Sequence, residues 1–266
     1  MKKINLNDGT PIYCLKQTEA IVLDEHIKGY LSYGFKINNG DTIVDVGANI
    51  GVLGIRLSQH LKNINIYAFE PIPDIYHVLE KNSKISSNTN FKTYMMGLSN
   101  ISKELVFTYY PNSPALSTSN PEVWKNDKSN FISAVQGSIS NAPKKFWWAK
   151  LIPKFITPLI AKYLTQGSQK IKSLVIPLSD FINKEKIQKI DLLKIDCEGE
   201  ELKILLGVDD KHWVLIKKIV MEVNDVENNL EKIKKLLASK GFKNIQLDKE
   251  KGFEKTKLVN IYASRN

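Results

Sequence analysis

The sequence predicts an α/β protein with a seven-stranded, mostly parallel sheet and helices on both faces. Three observations carry that expectation. From residue 40 onward, short β-branched apolar runs alternate with helical patterns. The first run, Thr42-Ile43-Val44, ends at Asp45 in a glycine turn, Asp45-Val-Gly47-Ala-Asn49-Ile-Gly51, which opens into an apolar helical pattern at Val52. A second run, Asn65–Phe69, ends in another carboxylate, Glu70. A strand, a glycine turn and a helix place a nucleotide-type cofactor site at the carboxyl end of a parallel strand.

The elements follow in chain order. Leu6-Asn-Asp-Gly9-Thr-Pro11 is a turn signal between two extended runs and predicts an opening hairpin. Residues 18–33 read as a helix, with Leu23, Ile27, Tyr30 and Leu31 on one face and Thr18 able to cap it. Strands are expected near 42–46, 65–69, 91–95, 191–195, 217–223, 244–248 and 257–263, and helices near 51–61, 74–83, 199–206 and 227–240. The alternation breaks between about 109 and 170. There Phe146–Leu164 repeats apolar residues at three- and four-residue steps, a helical pattern that Pro153 and Pro158 should kink or split. No repeat or linker divides the chain. The expectation is one domain over 1–266: an N-terminal extension (1–39), a cofactor-binding half (40–108), an inserted lid (109–170) and a C-terminal half of the sheet (171–266).

Composition narrows the function. A chain of 266 residues, 42% apolar and 25% charged, can bury one large core. No run of 18 apolar residues occurs, and Met1–Asp8 lacks the apolar core of a secretory signal. Cys14 and Cys197 lie far apart and form no metal-ligand spacing, so a reducing cytoplasm is expected. The net charge of +10 is almost all lysine, with only Arg56 and Arg265 as arginines. Base-reading proteins lean on arginine's planar fork, so no specific nucleic-acid partner is expected.

The chemistry concentrates at strand ends. Gly47, Gly51 and Gly54 are spaced four and then three apart, unlike the G-x-G-x-x-G of a dinucleotide site. Glu70, one helix and one strand later, can accept hydrogen bonds from both hydroxyls of a ribose. Pro71 and Pro73 stop its strand, and Asp74 can cap the next helix. In Asp191–Glu201, an extended chain would point Lys194, Asp196 and Glu198 the same way. Asp196 could bind the cofactor's amino group, orient the substrate or act as a base. The strand Lys218–Met221 ends at Glu222, and pairing beside the previous strand would bring Glu222 to Asp196. Two such carboxylates could ligate Mg²⁺, or one could stay protonated as an acid/base; no metal site is expected. His26, His60, His77 and His212 sit singly and read as surface or half-buried residues, not catalytic ones.

Asp45–Gly51, Phe69-Glu70-Pro71, Lys194-Ile-Asp-Cys-Glu-Gly199 and Met221-Glu222 together resemble the FkbM-type methyltransferases, S-adenosylmethionine-dependent enzymes with a class I (Rossmann-like) fold. The resemblance runs from about Leu6 to the C-terminus. The lead-in from Leu6 to Tyr30 and Tyr109-Tyr-Pro111 are similar to members from polyketide and non-ribosomal peptide pathways. It implies O-methylation of a hydroxyl on such an intermediate, free or carrier-bound, with a sugar or glycan acceptor as the alternative. It also implies that Asp45, Gly47, Asn49 and Gly51 surround the methionine part of the cofactor. Glu70 would hold the ribose, Ile72 would flank the adenine, and Gly97-Leu98-Ser99 would close the adenine side. Asp196 would lie near the methyl group and the acceptor, and Glu198 and Glu222 would shape that pocket; Asp196 and Glu222 are the candidates to take the acceptor's proton or to position the group that does. Tyr109, Tyr110, Trp147 and Trp148 are the candidate lid and substrate residues of the insertion. Lys144, Lys145, Lys150, Lys154 and Lys162 could meet an acidic carrier protein; a membrane-surface helix is the weaker option for the same stretch. Outside methyl transfer, a nicotinamide-dependent dehydrogenase and a non-catalytic binding module use similar folds.

Overall fold

The computed structural model describes residues 1–122 and 126–265; of the insertion, residues 123–125 lie outside the described residues. The chain opens with a hairpin, β1 (Lys2–Asn5) and β2 (Pro11–Cys14), and a helix, α1 (Gln17–Tyr30). There follow β3 (Thr42–Val46), α2 (Val52–His60), β4 (Asn65–Phe69), α3 (Pro73–Ile85), β5 (Phe91–Tyr94), β6 (Gly97–Leu98) and β7 (Lys103–Tyr109). The insertion carries α4 (Lys128–Ser140) and α5 (Thr157–Thr165). The chain resumes with β8 (Gln169–Ile176), α6 (Leu178–Glu185), β9 (Leu192–Ile195), α7 (Glu201–Leu206) and α8 (Asp210–Trp213). It closes with β10 (Lys218–Asn224), α9 (Asn229–Ser239), β11 (Asn244–Asp248) and β12 (Leu258–Ser264).

The seven expected strands form one sheet, in the order β11-β12-β10-β9-β3-β4-β5. Neighbours from β10 through β5 are parallel, and β12 is antiparallel to both strands beside it. The chain leaves β3 toward β4 and β5, then returns to β9 on the other side of β3. The crevice at a reversal of this kind lies outside the carboxyl ends of the two strands, here Val46 and Ile195.

Successive strand residues serve opposite layers. Ile43 and Ile66 face the layer of Leu53, Val78 and Leu79, to which the hairpin and α1 add Ile12, Ile21 and Tyr30. Val44, Val46, Leu193 and Ile195 face the layer of Phe181, Ile204 and Leu237. Both faces are covered, which is why these strands read as continuous apolar runs. The Arg56 guanidinium on α2 forks onto Asp24 of α1, with Nε 2.6 Å from Oδ1 and one terminal nitrogen 2.7 Å from Oδ2. Tyr262 donates to the Gly29 carbonyl at 3.0 Å. These two ties bring the C-terminal end of α1 onto the sheet.

Three features depart from expectation. A second sheet, β6-β8-β7, was not expected. Its antiparallel β7–β8 pair joins Tyr109 to Gln169, so the insertion hangs from the open end of a long hairpin. That pairing spans about sixty residues, too far for a turn signal to announce it. Helices α4, α6 and α8 also lacked a prediction; α6 follows Pro177. The expected helix over Phe146–Leu164 is instead 3₁₀ turns at Lys144–Leu151 and Lys154–Ile156, followed by α5. Pro153 separates the turns, but Pro158 lies in the first turn of α5, where its missing N–H costs nothing, and so starts a helix instead of kinking one. Among the described residues no helix is long and apolar enough to cross a membrane.

Candidate active site

The turn after β3 is shaped by backbone conformations that side chains resist. Gly47 has φ +72°, and a Cβ there would overlap the Asp196 carbonyl oxygen. Gly51, at φ +80°, precedes α2, and its Cβ would come within 2.6 Å of Leu79 Cδ1. The backbone N–H groups of Gly47 and Ala48 donate to the Phe69 carbonyl at 3.1 and 2.9 Å. Asn49 N–H donates to Glu70 Oε2 at 3.1 Å, and Ile72 N–H donates to Glu70 Oε1 at 3.0 Å. Glu70 is buried, and burial pushes its carboxyl up to about 7 even against those two backbone donors.

Lys194 ties this turn to the next strand. Its buried ammonium donates to the Gly47 carbonyl at 2.7 Å and lies 3.1 Å from Asp45 Oδ1 and 3.8 Å from Asp196 Oδ2. Burial alone would pull the Lys194 pKa down, but Asp45 and then Asp196 outweigh it and keep the group charged. Glu201 secures the following turn by accepting from Cys197 N–H at 3.3 Å and Gly199 N–H at 2.9 Å. Glu198 leaves extended geometry at φ +53°, so it does not share the strand face of Lys194 as an extended chain would have it.

Parallel pairing of β10 with β9 sets Met221 beside Ile195 and therefore Glu222 beside Asp196, as the sequence predicts. Helix α1 adds a second group of side chains. Tyr30 Oη donates to Asp196 Oδ2 at 2.7 Å, and His26 Nε2 lies 3.0 Å from Tyr30 Oη. His26 Nδ1 is 2.9 Å from Glu250 Oε1, and its Nε2 is 3.8 Å from Glu222 Oε2. Burial alone would lower the His26 pKa, but the Glu250 hydrogen bond and the charges of Glu222, Glu250 and Asp196 raise it to about 9. Burial first, and Asp196 second, push Glu222 up to about 8. Burial and the neighbouring Glu222 and Asp196 hold the Glu198 carboxyl well above its ordinary range. Donor atoms of Asp196, Glu198 and Glu222 lie within 4.8 Å of one another, as do those of His26, Glu222 and Glu250. The raised carboxyls of Glu198 and Glu222 and the His26–Glu250 ion pair ease the crowding of negative charge there.

All of this surrounds a cavity of about 560 Å³. Asp45, Gly47, Asn49, Glu70, Ile72, Gly97, Leu98, Asp196, Glu198 and Glu222 line it. Other predicted residues do not. Gly51 shapes the turn from behind, against Leu79. Ser99 is fully buried, donating its N–H to the Ile176 carbonyl. Tyr109 and Tyr110 are buried outside the lining, Tyr109 within the core beneath α1. Trp147 and Trp148 point to solvent, because Phe146 is the residue of that turn that packs inward. The insertion instead reaches the cavity through Pro114–Ser117 and through Ala134, Ser138, Asn141 and Pro143. Glu19 of α1 secures the first of these segments, accepting from Ala115 N–H at 2.8 Å. His26, Tyr30, Lys194 and Glu250 also line the cavity, although the first two read as helix-face residues and Glu250 carried no motif. Tyr30 on the inward face of the predicted helix, one turn from His26, was the available signal for the first two.

A sheet of this order, with a glycine turn and a carboxylate-lined cavity at the reversal between β3 and β9, defines a Rossmann-like class I methyltransferase fold. Residues 45–244 match the Methyltransferase FkbM domain family, and the chain belongs to that family. It is 32% identical over 242 residues to Methyltransferase sdnD of Sordaria araneosa, covering 88% of this chain and 86% of the relative. It is 27% identical over 270 residues to 31-O-demethyl-FK506 methyltransferase FkbM of Streptomyces tacrolimicus, covering 100% of this chain and 97% of the relative. The crystal structure of Methyltransferase FkbM from Methylobacillus flagellatus KT superposes with a TM-score of 0.52 at 14% identity, over 90% of this chain and 50% of that one, and shares the fold. The protein is a methyltransferase; the dehydrogenase and non-catalytic alternatives fall away.

Proposed function

We propose that the protein transfers a methyl group from S-adenosylmethionine to a hydroxyl of a natural-product intermediate, free or carrier-bound. One observation carries the reading: the Gly47 turn, Glu70 and Asp196 meet at the wall of one cavity. Three features fit that cofactor. Gly47 leaves backbone bare for close approach. Glu70, fixed by the Asn49 and Ile72 N–H groups, keeps lone pairs free for two ribose hydroxyls. Asp45, its buried carboxylate 3.1 Å from the Lys194 ammonium, completes the cavity wall beside Gly47. The relative from Streptomyces tacrolimicus names an O-demethyl acceptor, which supports an oxygen acceptor here.

When bound, the sulfonium supplies an electrophilic methyl carbon and leaves as a neutral thioether. The chain's own residues must align the acceptor oxygen in line with the C–S bond, exclude water and take the hydroxyl proton as the O–C bond forms. Asp196 or Glu222 takes that proton or positions the group that does. Tyr30 holds Asp196 through a direct hydrogen bond, and His26 with Glu250 stands behind Tyr30. The carboxylates also favour a cation at this end of the cavity.

Asp196→Ala and Glu222→Ala should each bind S-adenosylhomocysteine near the wild-type affinity. Transfer of a labelled methyl group to a panel of hydroxylated polyketides and peptides should drop by about 10²–10⁴-fold. Normal turnover by both variants would remove this assignment. Deleting residues 120–165 while retaining cofactor affinity would tie the insertion to the acceptor rather than the core.

A further inference from the structure

Between Asp127 and Asp180 the chain holds eight lysines and not one Asp or Glu. Within that stretch, Trp147, Trp148, Leu151, Phe155, Leu159 and Tyr163 point outward, each between 54% and 81% exposed. They stand on an anchored scaffold. Ala142 and Pro143 are buried, Phe146 packs on the main core, and Ala161, Ile160 and Leu164 pack against Phe131 and Val135 of α4. On α5, Thr157 and Ala161 are buried while Leu159 and Tyr163, one turn apart, lie on the outer side. Lys144, Lys145, Lys150, Lys154 and Lys162 are exposed between these apolar groups, and among the described residues none has an acidic partner.

We propose that the surface formed by residues 144–163 docks the protein on an anionic lipid bilayer. Two tryptophans and a tyrosine suit the headgroup layer, Leu151, Phe155 and Leu159 suit the acyl boundary beneath it, and the lysines meet lipid phosphates. A bilayer answers both sets at once, its phosphates the lysines and its headgroup and acyl layers the six outward apolar side chains of the 3₁₀ turns and α5. The cavity-lining residues Asn141 and Pro143 immediately precede Lys144, so a protein docked this way holds the cavity rim close to the lipid. On the methyl-transfer reading given above, an acceptor dissolved in or anchored to the bilayer would then reach the site directly.

Flotation of the full chain tests this, using phosphatidylcholine vesicles with and without phosphatidylglycerol. At low salt the protein should float with the phosphatidylglycerol vesicles and be released at high salt. Leu151→Ser with Phe155→Ser should weaken that binding by about tenfold or more, and Lys150→Glu with Lys154→Glu by a similar factor. Both pairs of side chains are exposed, so thermal unfolding of each variant should match wild type. Failure to float with anionic vesicles overturns the proposal, as does equal flotation of the double variants. Binding to an acidic carrier protein, or self-association that the serine variants abolish, without vesicle binding assigns the surface elsewhere and also overturns it. Flotation needs no turnover, so its result stands apart from the test of methyl transfer.

Discussion

The two ends of the cavity are built in opposite ways. At the Gly47–Glu70 end, nearly every contact joins residues of one β-α-β unit, and the carboxylate is held by backbone N–H groups. At the His26–Glu222 end, α1, the turn after β9, β10 and the loop before β12 each contribute a side chain, and the side chains hold one another. The first end is rigid because its donors belong to the backbone. The second is adjustable because protons can move among Glu198, Glu222 and His26, which lie within one another's fields. A site that must grip one constant group and accept a variable one suits this division.

Substitutions can separate the two ends. The largest effect is expected at Lys194, which bridges them. Lys194→Met leaves Asp45 buried without the cation that pairs with it among the described residues and should destabilise the fold by about 3–5 kcal/mol in urea unfolding. A loss under 1 kcal/mol would mean that Asp45 finds another partner. Next is Gly47→Ala, which meets both an unfavourable φ and the Asp196 carbonyl. Calorimetry should show S-adenosylhomocysteine affinity reduced about a hundredfold. Tyr30→Phe acts at the other end only: kcat should fall about tenfold with cofactor affinity held, since one hydrogen bond to a carboxylate is removed. A parallel loss of cofactor affinity would merge the two ends into one unit.

The smallest expected effect is a pH dependence. The fold favours protonated His26, raising it from 6.5 to about 9. That stabilisation is complete below pH 6.5 and is lost as pH rises through about 9. Glu222, raised from 4.5 to about 8, acts in the same direction over a lower window. The melting temperature of the free protein should therefore fall from pH 6.5 to 9, and His26→Gln should remove about 1–2 kcal/mol of that decline. An unchanged slope in His26→Gln would show that the His26–Glu250 pair does not titrate as its contacts imply.

The same contrast explains what could be read in advance. Asp45, Gly47 and Glu70 announce themselves because the turn chemistry is local: a strand end, a positive φ and the next strand end recur at the spacing of one helix. The parallel strands were legible because burial on both faces makes them apolar throughout. His26 and Tyr30 were not, because their meeting with Asp196 depends on how α1 docks, through Arg56 with Asp24 and Tyr262 with Gly29. Glu250 reaches His26 only through the turn between β11 and β12, which has no signature. Trp147 and Trp148 misled because an apolar period marks which residues share a face but not which face turns inward, and Phe146 took that place.

The most direct test of the account is calorimetric titration of S-adenosylhomocysteine into wild type, Glu70→Ala and Glu222→Ala. Wild type should bind, Glu70→Ala should lose at least about tenfold, and Glu222→Ala should keep near-wild-type affinity. No binding to wild type, or a loss in Glu222→Ala as large as in Glu70→Ala, would contradict the placement of cofactor and acceptor at opposite ends of the cavity.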